Sequence, residues 1–331
     1  MSPRDKLPYL SFLECDAIIP DPCFPQRICF QMVPRNMTSP VHLSIVIPTH
    51  RRPRLLPRAV GSALAASGPG VEVLVVADRD ESAAQTLARW ADDPRLRLLH
   101  SDGPGGAAAT RNCGVAAARG AVLLFLDDDD ELIAGYPDRV LAVAGQGRAV
   151  WGFAGQLRRM ADDAPPERVA GQGWAGGLPD RAVPFRRKMA GLSCGAWVRR
   201  DLFLALGGLC VEQALDEDFD LCCRLLAAGH QPWFEPEPAV ILDRVDTTVR
   251  LTNSADLETR SACSLRTFLR NAHALRHERG AMGFLAFRAQ KVILRSGRRD
   301  LLEELYRNVP APVRIGLRAK RMATVLRGRA R

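Results

Sequence analysis

The chain has 331 residues, 47% of them hydrophobic and 25% charged, the balance of a globular protein long enough to bury a large core. No apolar run reaches the roughly 20 residues of a membrane span, and the first forty residues hold no signal-type apolar stretch. The reading is therefore of a protein that meets a membrane, if at all, from its surface. The net charge of +9 is uneven. From residue 259 onward, 18 Lys and Arg face four acids, a balance of +14 that leaves −5 for the rest. Such a tail suits an anionic partner, lipid headgroups or a phosphorylated acceptor, as well as it suits Arg-rich helices facing water. Nine scattered cysteines without zinc-type pairing favour a reduced, cytoplasmic protein.

Residues 1–40 are proline-rich and aperiodic, an N-terminal extension. The first apolar run, 43–47, reads as a buried strand closed by Pro48. An alanine-rich helix is expected over 57–66, a strand over 71–76, a helix over 82–91 and a strand over 96–99. After the glycine-rich segment at 103–106 come a helix over 107–118 and an apolar strand over 122–126. Strands alternating with helices predict a mostly parallel α/β sheet with helices on both faces. Ligands in such sheets bind beyond the carboxyl ends of the strands, here near residues 48–52, 78–80 and 127–130. Further on, a strand is expected over 150–157, a loop over 161–188, and helices over 200–206 and 218–228, stopped by Gly207 and Gly229. Past residue 252 the pattern is helical and basic, broken at Pro310 and Pro312. The domain reading is an extension over 1–40, a catalytic domain over 41–248 and a basic helical region over 249–331.

The chemistry concentrates in two acidic stretches. Asp127, Asp128, Asp129 and Asp130 close an apolar strand, and four adjacent carboxylates repel one another unless a cation neutralises them. Oxygen ligands favour a hard divalent ion, Mg²⁺ or Mn²⁺, able to bridge nucleotide phosphates; the bland alternative is an acidic turn in water. The second stretch, Asp216-Glu217-Asp218-Phe219-Asp220, opens a helix whose positive end suits acids. Asp220 and Arg224, four apart, are expected to pair. Glu217 and Asp218 then remain to face a cleft, where a carboxylate beside an acceptor hydroxyl is a general base.

Together these stretches resemble the family 2 glycosyltransferases, inverting hexosyltransferase-type enzymes of the GT-A fold. The resemblance runs through Ser44-Ile45-Val46-Ile47-Pro48-Thr49-His50-Arg51-Arg52-Pro53, Val75-Val76-Ala77-Asp78, Thr110-Arg111-Asn112-Cys113-Gly114, the Asp127–Asp130 cluster, Gly191-Leu192-Ser193, Gly207-Gly208-Leu209 and Glu217-Asp218. It implies a Rossmann-like mostly parallel sheet and a nucleotide diphosphate-sugar donor, with UDP the expected nucleotide. It also implies that Pro48, Thr49, His50, Asp78, Arg111, Asp127 and Asp128 hold the nucleotide. Asp129 would be the main metal ligand, with Asp127 beside it. Asp218 would be the base, supported by Glu217. The chain departs from the family pattern at Arg51, where Asn is usual, at Ala77, and at Arg79, where glycine is common. Asp246 falls where a metal-binding histidine is frequent, and reads equally as a ligand or as a loop residue. The acceptor, whether glycan, lipid-linked glycan, peptide or small molecule, is not named by the sequence, and no nucleic acid is expected. The competing readings are a sugar nucleotidyltransferase, disfavoured because residues 48–53 lack glycine, and an inactive glycosyltransferase-like binding protein. In the basic tail, Arg260, Arg266, Arg270, Arg276 and Arg279 alternate with Leu265, Phe268, Leu269 and Leu275, and Phe284, Leu285, Phe287 and Ile293 follow. That composition suits peripheral contact with an anionic membrane, or packing on the catalytic domain.

Overall fold

A computed structural model describes residues 41–161, 163–169, 174–245 and 256–329, with side chains to 320. Strand β1 (Leu43–Thr49) is flanked by β2 (Val71–Asp78) and β4 (Val122–Phe125), both parallel to it, and β3 (Leu96–Ser101) extends the parallel set beyond β2. The apolar runs become central strands because both faces of β1 are covered, so every position from Leu43 to Ile47 is buried. Alternation still divides them: Val46, Leu74, Val76, Leu123 and Phe125 join one core cluster, and Ile45, Ile47, Val73, Val75 and Leu124 the other.

Helices α1 (Leu56–Ala66) and α4 (Tyr136–Gly145) cover the second face. Helix α3 (Ala107–Ala117) covers the first, and Gly114 sets its closeness. A Cβ there would lie 2.6 Å from Val46 Cγ1 and 2.9 Å from Val76 Cγ2. The expected helix at 82–91 is instead one short turn, α2 (Ala83–Thr86), followed by a 3₁₀ turn at Ala88–Trp90. With four and three residues respectively, neither buries a full amphipathic face.

Beyond β4 the sheet turns mixed, in the order β3-β2-β1-β4-β8-β6-β9-β5, with β7 beside β6. Here β5 is Glu131–Leu132, β6 Trp151–Arg159, β7 Glu167–Arg168, β8 Trp197–Arg199 and β9 Trp233–Asp243. Strand β9 accepts Pro236 and Pro238 because its register against β6 shifts between Ala154 and Gln156, where ladder bonds are not required. Helices α5 (Arg200–Ala205) and α6 (Glu217–Ala227) match the expected segments to within a residue.

The basic C-terminal segment forms α7 (Leu257–Asn271), α8 (Ala281–Ser296), α9 (Arg299–Arg307) and α10 (Ala311–Arg329). Their apolar residues Leu265, Phe268, Leu285 and Ile293, with Leu275 from the 3₁₀ turn between α7 and α8, are buried in the same cluster as Val46 and Phe125. Most of the apolar face noted in the sequence therefore packs on the body of the protein, and Leu269 and Phe287 remain exposed. Among the described residues no helix is long and apolar enough to cross a membrane.

Candidate active site

The carboxyl ends of β1, β2 and β4, the start of α3, the 191–193 loop, the start of α6 and parts of α7 and α8 line a cleft of about 740 Å³. That is a volume suited to a ligand of nucleotide-sugar size. It brings together Pro48, Thr49, His50, Asp78, Arg111, Asp127, Asp128, Asp129, Glu217 and Asp218, the residues singled out in the sequence, except Asp246, which lies outside the described residues.

On the β1–β2 side, His50 Nδ1 is 2.7 Å from the Asp78 carbonyl oxygen. Asp78 accepts from the Gly106 backbone N–H (2.9 Å) and from Arg79 Nε (3.0 Å). Buried Asp80, within the 78–80 stretch expected near the ligand but given no role there, ties the two turns together by accepting from Arg51 N–H (2.7 Å) and Ser82 Oγ (2.6 Å). Arg51 and Arg79 have φ of 53° and 48°, in the left-handed region that Asn and Gly adopt with less strain. These two of the departures from the resembled pattern, Arg51 and Arg79, thus occupy backbone positions where Asn and Gly fit more easily. With Asp216 (φ 64°) they are the described non-glycine residues of positive φ; Arg79 and Asp216 line the cleft, and Arg51 sits between its lining residues His50 and Arg52.

The four aspartates after β4 point in different directions. Ligand oxygens of Asp127, Asp129 and Asp130 lie within 4.8 Å of one another. Asp128 turns toward Arg52, whose Nη1 donates to Asp128 Oδ1 and to Asp129 Oδ2, each at 3.0 Å. Burial lifts the Asp128 carboxyl to about 6, against the opposing pull of Arg52, and the charges of Asp129 and Asp127 add to the rise. Asp130 is 1% exposed and accepts from Asp243 N–H (3.1 Å). Burial and the carboxylates of Asp127 and Asp129 push it well above the usual range. Three crowded carboxylates, one of them deeply buried, make a hard-oxygen donor set that fits Mg²⁺ or Mn²⁺. Asp130 was not expected in that set, because the sequence shows four equivalent acids and only the turn decides which three converge. Arg52 falls in the 48–52 stretch expected near the ligand, but its pairing with these acids was not foreseen, since a second arginine after β1 carries no signal of which carboxylates it meets.

Arg111 joins the two halves of the cleft. From α3 its Nη2 donates to Asp127 Oδ1 (2.6 Å) and its Nη1 to Glu217 Oε1 (2.9 Å). Glu217 is therefore an ion-pair partner and not a free group facing the cleft. Burial and the neighbouring Asp218 raise its carboxyl, partly offset by Arg111. The next residue, Asn112, clasps the turn before α6 through paired bonds with Leu209, Nδ2 to the carbonyl (2.7 Å) and N–H to Oδ1 (2.9 Å). Arg224 holds the same turn through the carbonyls of Leu206 (2.6 Å) and Gly208 (2.7 Å) while pairing with Asp220 (2.9 Å), the pairing expected from their spacing.

Asp218 accepts from Phe219 N–H (2.7 Å) and from Leu192 N–H (3.3 Å). A Cβ on Gly191 would lie 3.0 Å from its Oδ2, so the loop approaches as closely as it does because that residue is glycine. Burial raises the Asp218 carboxyl, opposed by Arg111 and the backbone donors. A half-buried carboxylate of raised proton affinity, held by backbone donors at the cleft wall, is equipped to accept a proton.

This sheet order with a cleft across its carboxyl ends is the GT-A fold. The structure of residues 1–349 of S. aureus TarS in complex with UDP-GlcNAc superposes with a TM-score of 0.61 at 13% identity, covering 84% of this chain and 79% of that one. Residues 44–203 match the family model described as Glycosyl transferase family 2. Over 101 residues the chain is 41% identical to the succinoglycan biosynthesis protein ExoO of Rhizobium meliloti, which is 30% of this chain and 27% of that protein. Over 115 residues it is 32% identical to the GalNAc(5)-diNAcBac-PP-undecaprenol beta-1,3-glucosyltransferase of Campylobacter jejuni, 32% of this chain and 36% of that protein. The matched segments thus span about a third or less of these two relatives. Residues 44–203 of the chain belong to glycosyltransferase family 2.

Proposed function

We propose that the chain transfers a hexosyl group from a UDP-sugar to a saccharide hydroxyl, with inversion at the anomeric carbon. The observation that carries this reading is the Arg111 bridge, which fixes the acidic cluster after β4 and the Glu217-Asp218 start of α6 in one cleft. In this reading Pro48, Thr49, His50, Asp78 and Asp128 hold the nucleotide. Asp127, Asp129 and Asp130 hold a divalent ion, with Asp246 a further candidate ligand. That ion would supply neutralising charge to the diphosphate.

Asp218 takes the proton of the acceptor hydroxyl as the oxygen attacks the anomeric carbon. The bond from that carbon to the diphosphate oxygen breaks as the new one forms, and UDP leaves with the bonding pair. Only one base is required, because a single displacement inverts configuration without a covalent intermediate. Glu217 and Arg111 keep the charged groups apart and oriented. The relatives named above support a saccharide acceptor, since one is a succinoglycan biosynthesis protein and another a glucosyltransferase for a lipid-linked saccharide.

A reduced cytoplasmic setting belongs to the same reading, supported by the free thiols of Cys113, Cys194, Cys222, Cys223 and Cys263. So does peripheral membrane contact, which would run through the basic outer faces of α7–α10, since most of their apolar residues are buried. UDP release from a panel of UDP-sugars with Mn²⁺ tests the activity. Asp218→Asn should lower kcat by about 10²- to 10⁴-fold with donor affinity retained. Near-normal turnover in that variant would mean that Asp218 is not the base.

A further inference from the structure

The Glu217-Asp218 pair is gripped on both sides by helices that lie outside residues 44–203, the segment matched by the family model. On the preceding side, Asp216 caps α6 in a left-handed conformation, φ 64° and ψ 19°. Its carboxylate forms an ion pair with Arg288 of α8 and accepts from Ser264 Oγ of α7 at 3.3 Å. Its carbonyl accepts the Asp220 N–H at 2.9 Å, the first bond of the helix. On the following side, the Arg288 guanidinium lies 4.4 Å above the Phe219 ring, which packs against Phe284 of α8. One arginine thus touches the residue before the pair and the residue after it.

We infer that Asp216 and Arg288 are positioning residues that aim the Asp218 carboxylate, so that the basic C-terminal helices form part of the catalytic apparatus. The inference rests on Asp218 being the base. The physical reason is the small tolerance at Asp218. Its oxygen is held by the Leu192 N–H and faces the open side of Gly191 at a separation where a single methyl would crowd it. The direction in which α6 leaves its cap decides whether that fit is kept. A non-glycine residue rests in the left-handed region only when its surroundings hold it there, and here the holding contacts come from α7 and α8. Asp is among the side chains that adopt this conformation most readily, so the local sequence and the tertiary grip agree.

The test uses the full chain with Mn²⁺ and the UDP-sugar that turns over fastest, with Asp218→Asn as reference. Arg288→Met keeps an unbranched stem over Phe219 but removes the ion pair. Asp216→Asn keeps the tolerance for positive φ but weakens the pair. Each should lower kcat about tenfold to a hundredfold, with donor KM within about twofold of the parent. Arg288→Lys, which restores the charge, should recover part of the loss. Hydrogen exchange supplies a readout independent of turnover: peptides covering 189–195 and 214–222 should exchange faster in Arg288→Met, while those of β1 and β2 are unchanged. Parental kcat and exchange in both variants, with Asp218→Asn inactive, would overturn the positioning role and leave the base assignment standing. Parental turnover in Asp218→Asn would instead remove the premise.

Discussion

At Asp128 the candidate site is at odds with the stability of its own fold. Its carboxyl is 6% exposed and rises from an ordinary 3.8 to about 6, chiefly through burial. Each unit of pKa corresponds to 1.36 kcal/mol, so above pH 6 this one group costs the folded state about 3 kcal/mol. The sign follows from proton uptake on folding. A carboxyl with a raised folded value contributes its full stability below its unfolded value near 4, and that contribution is lost as pH rises through 6. Asp128→Asn keeps the shape and removes the titration, at the expense of a charge-assisted bond from Arg52, which retains Asp129 as partner. The variant should therefore be about 1–3 kcal/mol more stable than the parent at pH 7 in EDTA, and the difference should shrink toward zero near pH 4. Urea unfolding at both pH values, in EDTA, measures this. The same variant should bind UDP more weakly with Mn²⁺ still required, because the orienting carboxylate is gone and the ion's ligands remain. An Asp128→Asn protein that is less stable than the parent at pH 7 would refute the reasoning, since it would mean that the Arg52 pair outweighs the burial.

Asp129→Ala and Asp130→Asn should each abolish the Mn²⁺ dependence of UDP binding in calorimetric titration, since each removes a charged oxygen from the set that converges within 4.8 Å. Retained dependence in Asp130→Asn would return that residue to a structural role. Away from the cleft, Lys188 Nζ pairs with Glu278 Oε2 at 2.8 Å, both nearly excluded from solvent. Lys188→Met should cost about 3–5 kcal/mol in urea unfolding, and adding Glu278→Leu should recover most of it. Burial alone would raise Glu278, but bonds from Lys188 and Gln231 bring it below its usual 4.5. Its contribution is therefore present above that value and lost as pH falls through the lowered one. Finally, the chain should co-sediment with anionic vesicles and not with neutral ones. Each engaged basic residue contributes on the order of 1 kcal/mol, and the binding should vanish in high salt. Equal binding to neutral vesicles would mean that apolar insertion, not charge, drives attachment.

The sequence determined the parallel half of the sheet almost alone. Uninterrupted apolar runs such as Ile45-Val46-Ile47 and Val73-Leu74-Val75-Val76 can only be buried on both faces, and the intervening helices supply the cover. It also determined that acids end β4 and begin α6, because local runs of one charge are legible without a fold. Tertiary structure decided the rest. Strand β9 was hidden by Pro236 and Pro238, which a register shift against β6 makes harmless, and β8 by a length of three residues. The helix expected over 82–91 is broken at Leu87, whose φ of −97° and ψ of 4° separate α2 from the 3₁₀ turn that follows. Which three of four adjacent aspartates converge depends on the turn they make, and adjacency in sequence says nothing of direction. That Glu217 pairs with Arg111, 106 residues away, and that Asp216 is held by α7 and α8 are long-range contacts. Such pairings follow from how the helices dock on the sheet, a matter of packing that no local pattern of charge encodes.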